Sequence, residues 1–366
     1  QNERASSGYF DEQLAYWKAE FADGRPVLDL PIALPRPPVQ TFDGSRIHLA
    51  LDRDCSDAVR ALARQFGATP YMVFMAALKL LLWKVSGQRH LVIGTAVAGR
   101  NRPELESIVG MFVNMLAIRS QVDEEMTIAD YLHYMKSKLL KAYENQDCQY
   151  ESLVEQLALD KDVTRNALFD VVFNYINMGT EELSMDGLRL TPVQPGDVAC
   201  KFDLMWTILE SEGRYDLELE FNTSLFHAES VRDLGMRWIH LLSDIAQMPE
   251  RKLKTLHLLT SGERKWLLED LNRTATPYPA DRTIIQLFLE QARLHANRTA
   301  VIWEGGEWTY AQLAAAADRI FRMIVDCGVS AGQRIALLLD RGPQQIAAIF
   351  GVLKACCAYV PIDPDS

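Results

Sequence analysis

Thr69-Pro70 opens the run Tyr71 to Val85, fifteen residues in which only Lys79 and Lys84 carry charge. Threonine is a good N-cap and proline fits the first helical turn, so the run reads as a helix. A helix apolar on nearly every side has no face to offer water. It must lie deep in a core with other layers packed around it. It is too short to cross a bilayer, as is the second apolar stretch, Ile346 to Ile362, which Lys354 interrupts.

The segments around that helix supply the layers. Tyr9 to Phe21 behind Ser6-Ser7, Asp54 to Phe66, Ile128 to Tyr143 behind Thr127, and Glu229 to Met248 recur at helical spacing. Ile47, Leu49 and Leu51 alternate as a strand, and Leu91 to Ala98 reads as a buried one. Four further strand-like runs come next: Leu168 to Ile176, Leu188 to Val193, Phe202 to Leu209 and Tyr215 to Phe221. Gly24 to Gln40 carries five prolines and is read as an extended surface crossing. Residues 1–250 form one domain on this reading, 251–276 a linker with a short capped helix at Ser261 to Leu271, and 277–366 a second domain. In the second, helices at Thr283 to His295, Thr309 to Val325 and Pro343 to Ala355 alternate with strands at Thr299 to Trp303 and Arg334 to Leu339. That rhythm predicts an α/β layer with parallel strands.

A net charge of -11 removes long-range attraction for nucleic acid or an anionic membrane, so neither is expected as a partner. Six scattered cysteines without a CxxC pair read as buried thiols of a reducing, cytoplasmic setting. None of the seven histidines has metal-ligand spacing, so no metal site is expected. The sequence contains no GxSxG, Walker loop or GxGxxG. Gln1 opens the chain and Tyr359 to Ser366 stops just after a strand-like run, so both ends read as cut from something longer.

Three strings in order then carry a resemblance. Val109-Gly110-Met111-Phe112-Val113-Asn114-Met115-Leu116-Ala117-Ile118-Arg119 resembles the VGxFVNTLxLR motif of condensation domains of nonribosomal peptide synthetases. Asn145-Gln146-Asp147-Cys148-Gln149-Tyr150-Glu151 is similar to their (H/N)QDxPFE motif, and Asp162 to Phe169 to DxSRNPLF. Tyr16-Trp17 and Lys201-Phe202-Asp203-Leu204 match segments common there. In the last ninety residues, Trp308 to Leu313 is similar to the LTYxEL motif of adenylation domains, and Leu353 to Asp363 to LKAGxAYVPID.

The resemblance implies an α/β chain: the C-terminal half of a chloramphenicol acetyltransferase-like condensation domain, with a mixed sheet plus helices, then the N-terminal part of an acyl-adenylate-forming α/β domain. The family's HHxxxDG motif has no counterpart here, since the chain has no His-His pair, so no catalytic residue is assigned. Asn114 and Arg119 are expected to organise an interface between halves, or else to cap a turn and pair with a local carboxylate. Asp147 and Glu151 flank a helix start, where a carboxylate stabilises free N–H groups. Arg165, beside Asn166, is a half-buried anchor or a contact to a pantetheine phosphate. Phe202 and Asp203 line a tunnel floor, or are a strand residue and a turn acid. Thr309, Tyr310, Lys354, Tyr359, Pro361 and Asp363 are adenylation scaffold, with Tyr359, Val360 and Ile362 in a buried strand, Pro361 ending its pairing and Asp363 capping the segment after it. Cys356 stands where the family has glycine.

The implied cofactors are phosphopantetheine on neighbouring carrier domains, and ATP with Mg for a complete adenylation domain, none bound by this stretch alone. The implied partners are carrier domains, the rest of the synthetase, and aminoacyl or peptidyl thioesters. The alternatives are a non-catalytic docking protein and an epimerisation or heterocyclisation relative.

Overall fold

The computed structural model describes residues 8–100, 103–159, 162–177, 184–185, 188–189 and 198–363. The chain divides into two compact units, 1–272 and 273–366.

In the first unit α1 (Tyr9–Glu20) leads through the proline-rich crossing to β1 (Asp43–Ala50), α2 (Arg53–Gln65), α3 (Pro70–Ser86) and β2 (His90–Val97). Then come β3 (Asn114–Gln121), α4 (Ile128–Glu144), α5 (Tyr150–Gln156) and β4 (Val171–Ile176). Short strands β5 (Ser184–Met185), β6 (Leu188–Arg189) and β7 (Val198–Ala199) precede β8 (Leu204–Ser211), β9 (Arg214–Asn222) and α6 (Ala228–Gln247). Of the run Leu188 to Val193, Leu188–Arg189 is strand and the remainder lies outside the described residues.

Among the described residues, seven strands form one mixed sheet in the order β3-β2-β4-β8-β9-β1-β7. The steps from β2 to β4 and from β4 to β8 are parallel; the others are antiparallel. The crossover from β2 to its parallel neighbour β4 needs a long connection, which runs through β3, α4 and α5.

The helix α3 is where its apolar girth requires. Met72 to Trp83 are all buried, and the Thr69 hydroxyl accepts from Met72 N. Its Phe74 ring lies 5.6 Å from that of Trp238 on α6, which is 5.8 Å from Trp206 on β8. The core is thus a helix layer on one sheet face. Helix α4 begins in a reciprocal box between Thr127 and Asp130.

After α6, Leu253 and Leu256 are buried in this same core. Leu253 N donates to Met126 O, and Lys252 and Lys254 both pair with Glu125. A short helix, α7 (Ser261–Lys265), and a π turn come next, leaving Trp266, Leu267, Leu268 and Leu271 exposed.

The second unit holds α8 (Ile284–Leu294), the hairpin β10 (Thr299–Trp303) and β11 (Gly306–Thr309), α9 (Tyr310–Asp326), β12 (Arg334–Leu338), α10 (Pro343–Lys354) and β13 (Ala358–Ile362). Its core is small: Phe288 stacks on Phe350 at 4.2 Å, and Val352 packs with Ile324, Leu337 and Ala348. β12 and β13 are parallel neighbours joined through α10.

Two expectations about the last strand need correction. The strand carrying Tyr359, Val360 and Ile362 is exposed, not buried, with these residues 39–44% accessible. β12 is its only strand partner among the described residues, and parallel strands become buried only when covered on both faces. Pro361 does not end the pairing either; it stands in register with Leu337. A proline is tolerated in a strand with a free edge.

Candidate functional site

The three motif strings form two hydrogen-bonded clusters joined by a row of rings, the first at the start of β3 and the second at the starts of β4 and β8.

The first cluster is built around Asn114, the buried first residue of β3. Its Nδ2 donates to Gln146 O at 2.9 Å and Cys148 O at 2.7 Å, and its Oδ1 accepts from Tyr150 N at 3.1 Å. Helix α1 grips the same loop from the other side. Gln13 Nε2 donates to Glu144 O at 2.8 Å, and Trp17 Nε1 to Asn145 O at 2.8 Å. Asp147 N donates to Gln13 Oε1, and Tyr9 Oη donates to Asp147 Oδ2 at 2.9 Å. A loop whose backbone groups are this fully claimed is held in one shape. Asp147 therefore does not cap α5: the N-cap is Gln149, without a side-chain cap bond, while Glu151 is exposed in the first turn.

Arg119 lies towards the other end of β3. It donates to Glu20 O at 2.6 Å and to both carboxylate oxygens of Asp23, which this pairing holds below the usual carboxylate range. Its partners are therefore local: the end of α1 and the residues just after it.

The second cluster surrounds Asp170 and Asp203, which are 5% and 3% exposed. Carboxylates this deep need cations and donors, and they have them. Arg165 donates to Asp170 Oδ2 at 2.7 Å and to Leu28 O at 3.0 Å. Asn166 N donates to Asp170 Oδ1, and Asn166 Nδ2 to Lys201 O. Arg36 forks onto both oxygens of Asp203 and reaches Thr164 O at 3.2 Å. Arg25 donates to the carbonyls of Asn166 and Ala167. Two arginines of the proline-rich crossing thus staple it onto the third motif.

Burial pushes Asp203 above its ordinary range although Arg36 pulls it down, while that same pairing holds Arg36 protonated against its own burial. The crevice beside Arg25, Asn166 and Asp170 measures about 10 Å³, room for no more than one water. Both of these bonds of Arg165 come from Nη1, which ties it to the crossing at Leu28 and to Asp170.

A row of rings joins the clusters. Tyr150 lies 5.4 Å from Phe169, and Phe169 5.8 Å from the half-buried Phe202. The Tyr150 hydroxyl meets the backbone of Leu168, and burial pushes it up to about 12.

Sequence reading found Asn114, Arg119, Asp147, Arg165, Asn166, Phe202 and Asp203 but missed the groups that hold them: Gln13, Arg25, Arg36 and Asp170. Arg25 and Arg36 carry one usable signal, as lone cations in a proline-rich apolar segment. Among the described residues no group of three His, Cys, Asp or Glu is placed to hold a metal.

In the second unit Thr309 caps α9 in a box with Gln312, and Tyr310 is its first residue, 6.3 Å from the Phe288 ring. The Lys354 ammonium is engaged by Asp318 and stands over the Phe321 ring. Asp363 comes directly after β13.

Residues 1–268 match the family model described as condensation domain, and residues 288–366 that of the AMP-binding enzyme. The chain is 40% identical over 365 residues to surfactin synthase subunit 1 of Bacillus subtilis (strain 168), covering 100% of this chain and 10% of that protein. It is 37% identical to gramicidin S synthase 2 of Brevibacillus brevis, covering all of this chain and 8% of that one. It thus spans about a tenth or less of the length of these relatives. Among solved structures it is similar to holo-AB3403, a four-domain nonribosomal peptide synthetase bound to AMP and glycine. The TM-score is 0.82 and the identity 26%, over 97% of this chain and 28% of that one. The condensation domain of the monacolin K polyketide synthase MokA shares the fold, with TM-score 0.62 and 24% identity over 69% of this chain and 61% of that one.

Proposed function

This chain belongs to the condensation-domain family of nonribosomal peptide synthetases and continues into the start of an AMP-binding enzyme; from that premise we propose that it serves peptide-bond formation between carrier-bound thioesters. Residues 1–250 contribute a wall of the condensation tunnel, 251–276 join, and 277–366 open the domain that activates an amino acid with ATP and Mg. The aminoacyl and peptidyl groups arrive on the phosphopantetheine arms of neighbouring carrier domains, in the cytoplasm. Asn114, Arg119, Asp147, Arg165, Asn166, Phe202 and Asp203 act as positioning residues that fix the wall, and none of them touches the reacting atoms. Thr309, Tyr310, Lys354, Tyr359, Pro361 and Asp363 act as adenylation scaffold.

The observation that carries the reading is the continuous brace. Three strings in the family's order converge on Asn114, on the Tyr150–Phe169–Phe202 row, and on Asp170 with Asp203. Every cation in it is bonded to protein, as a wall requires and a reaction centre does not.

The test uses the full-length synthetase with donor- and acceptor-loaded carriers, reading the amide product by mass spectrometry. Asp170→Ala is expected to abolish amide formation while leaving amino-acid-dependent ATP–pyrophosphate exchange intact. The chain of residues 1–366 alone is expected to give neither activity. Undiminished amide formation in the variant, or exchange by this chain alone, would overturn the reading.

A further inference from the structure

Lys79 is 0% exposed and is the only charged residue among the twelve buried positions of α3. Its Nζ has no carboxylate partner. It donates to Ile118 O at 2.8 Å and Leu91 O at 3.3 Å, two backbone carbonyls on neighbouring strands. In the ladder Leu91 stands opposite Ser120 and Ile93 opposite Ile118. Arg89 O accepts from Val122 N, so the carbonyl of Leu91, two residues on, also faces β3. Both acceptors therefore border the same interval of the β2–β3 ladder, and Nζ reaches that interval from the helix side.

Counting donors decides what this site can hold. An uncharged amine has two N–H bonds, and two carbonyls receive them. An ammonium has three. Two buried hydroxyls, Ser120 Oγ on β3 and Tyr131 Oη on α4, face each other, and neither accepts from Nζ.

We propose that Lys79 is a protonation-sensitive clamp on the edge strand β3: with two N–H bonds it closes the β2–β3 ladder, and a third proton, finding no acceptor, opens it. The strand it clamps is the one that places Asn114 and Arg119.

The surroundings favour the uncharged form. Burial lowers Lys79 well below the ordinary lysine range, and Lys138 on α4 pushes the same way. Lys138 itself is paired with Glu20 at 2.8 Å. On β3, Arg119 is bonded to Asp23; on β2, His90 is exposed. Helix α6 buries Trp238, Leu241 and Leu242, which are apolar, and the titratable group buried on α2 is the Cys55 thiol, which burial keeps protonated. A lysine whose folded value is depressed leaves the unfolded chain binding the extra proton. Stability then falls as pH drops from about 10.4 towards the folded value.

Two measurements on the 366-residue chain test this. With lysine labelled at 13Cε and 15Nζ, the wild-type spectrum at pH 7.5 is expected to show one side chain with neutral-amine shifts, absent in Lys79→Met. Twenty-four-hour hydrogen exchange, corrected for intrinsic rates, is expected to show β2 and β3 amides losing protection by up to about tenfold per pH unit on acidification from pH 8 to 6, with no such slope in Lys79→Met. A spectrum of ammonium shifts alone overturns the proposal, and so does an equal slope in the variant. Should Lys79→Met fail to fold, the wild-type spectrum still decides, because a neutral-amine signal at pH 7.5 requires a strongly depressed lysine and its absence means that every lysine, Lys79 included, is charged.

Discussion

Gly94 lies so close beneath Phe169 that a Cβ on residue 94 would stand 2.2 Å from Cε2 of the ring. The middle ring of the row that joins the two motif clusters thus rests on the bare backbone of β2. Gly94→Ala is expected to destabilise the first unit by about 1–3 kcal/mol through overpacking, read as a lowered urea midpoint. Adding Phe169→Leu should return part of that loss, so the double variant costs less than the sum of the two. Simple additivity would show that the contact does not bind the pair.

Asn114→Leu should be worse tolerated than its conservative volume suggests. It deprives Gln146 O, Cys148 O and Tyr150 N of their partner while keeping the site apolar. The expected cost is about 2–4 kcal/mol by chemical denaturation. A cost below about 1 kcal/mol would mean that the grip of α1 suffices to hold the loop.

Arg36→Met isolates Asp203 beside Asp170. Burial, ahead of every other influence, already raises Asp203, and losing Arg36 raises it further. A carboxyl that holds its proton more tightly when folded contributes stability in full below about pH 4 and loses it as pH rises through the folded value. The variant should therefore lose about 3–5 kcal/mol at pH 7.5, and the deficit should shrink as pH is lowered towards 5. Urea midpoints at both pH values check this; a deficit independent of pH would count against an uncompensated carboxylate.

Cys356 sits at φ 56, just past the end of α10. Its N–H donates to Leu353 O and that of Cys357 to Val352 O, which makes the turn a Schellman motif with cysteine at the position glycine favours. Cys356→Gly should stabilise the second unit by about 1 kcal/mol, seen as a raised melting temperature. An unchanged or lowered melting temperature would show that the side chain is compensated by contacts of its own.

Thiol reactivity should track burial. Cys327 and Cys356 are exposed, whereas Cys55, Cys148, Cys200 and Cys357 are buried. Burial pushes the Cys200 thiol up to about 11, so at pH 8 only about one molecule in a thousand carries its thiolate. Iodoacetamide at pH 8 should label Cys327 and Cys356 first by peptide mass spectrometry, with Cys200 silent until urea is added.

Legibility in the sequence tracked the range of the interaction. The cap at Thr69, the box at Thr127 and the all-round apolar face of α3 are local signals, and each is realised. The left-handed residue at Cys356 could be suspected only through the resemblance, which puts a glycine at that position. Strand β3 was not legible: Met115, Leu116, Ala117 and Ile118 form a short unbroken apolar run, which periodicity alone does not separate from a buried helical turn. The partners of the motif residues were hidden for a different reason. Arg36 meets Asp203 across 167 positions and Gln13 meets Glu144 across 131, and no periodicity spans such distances.

The staples on the proline-rich crossing also bear on the order in which this protein is made. Arg25 and Arg36 find their acceptors at Asn166, Ala167 and Asp203, and β1 pairs with β9. A nascent chain has to carry residues 24–40 unattached until those later residues have been synthesised. Within this unit the crossing is therefore made before the residues that fix it and docks only after them, so it stays exposed for the time that separates the two.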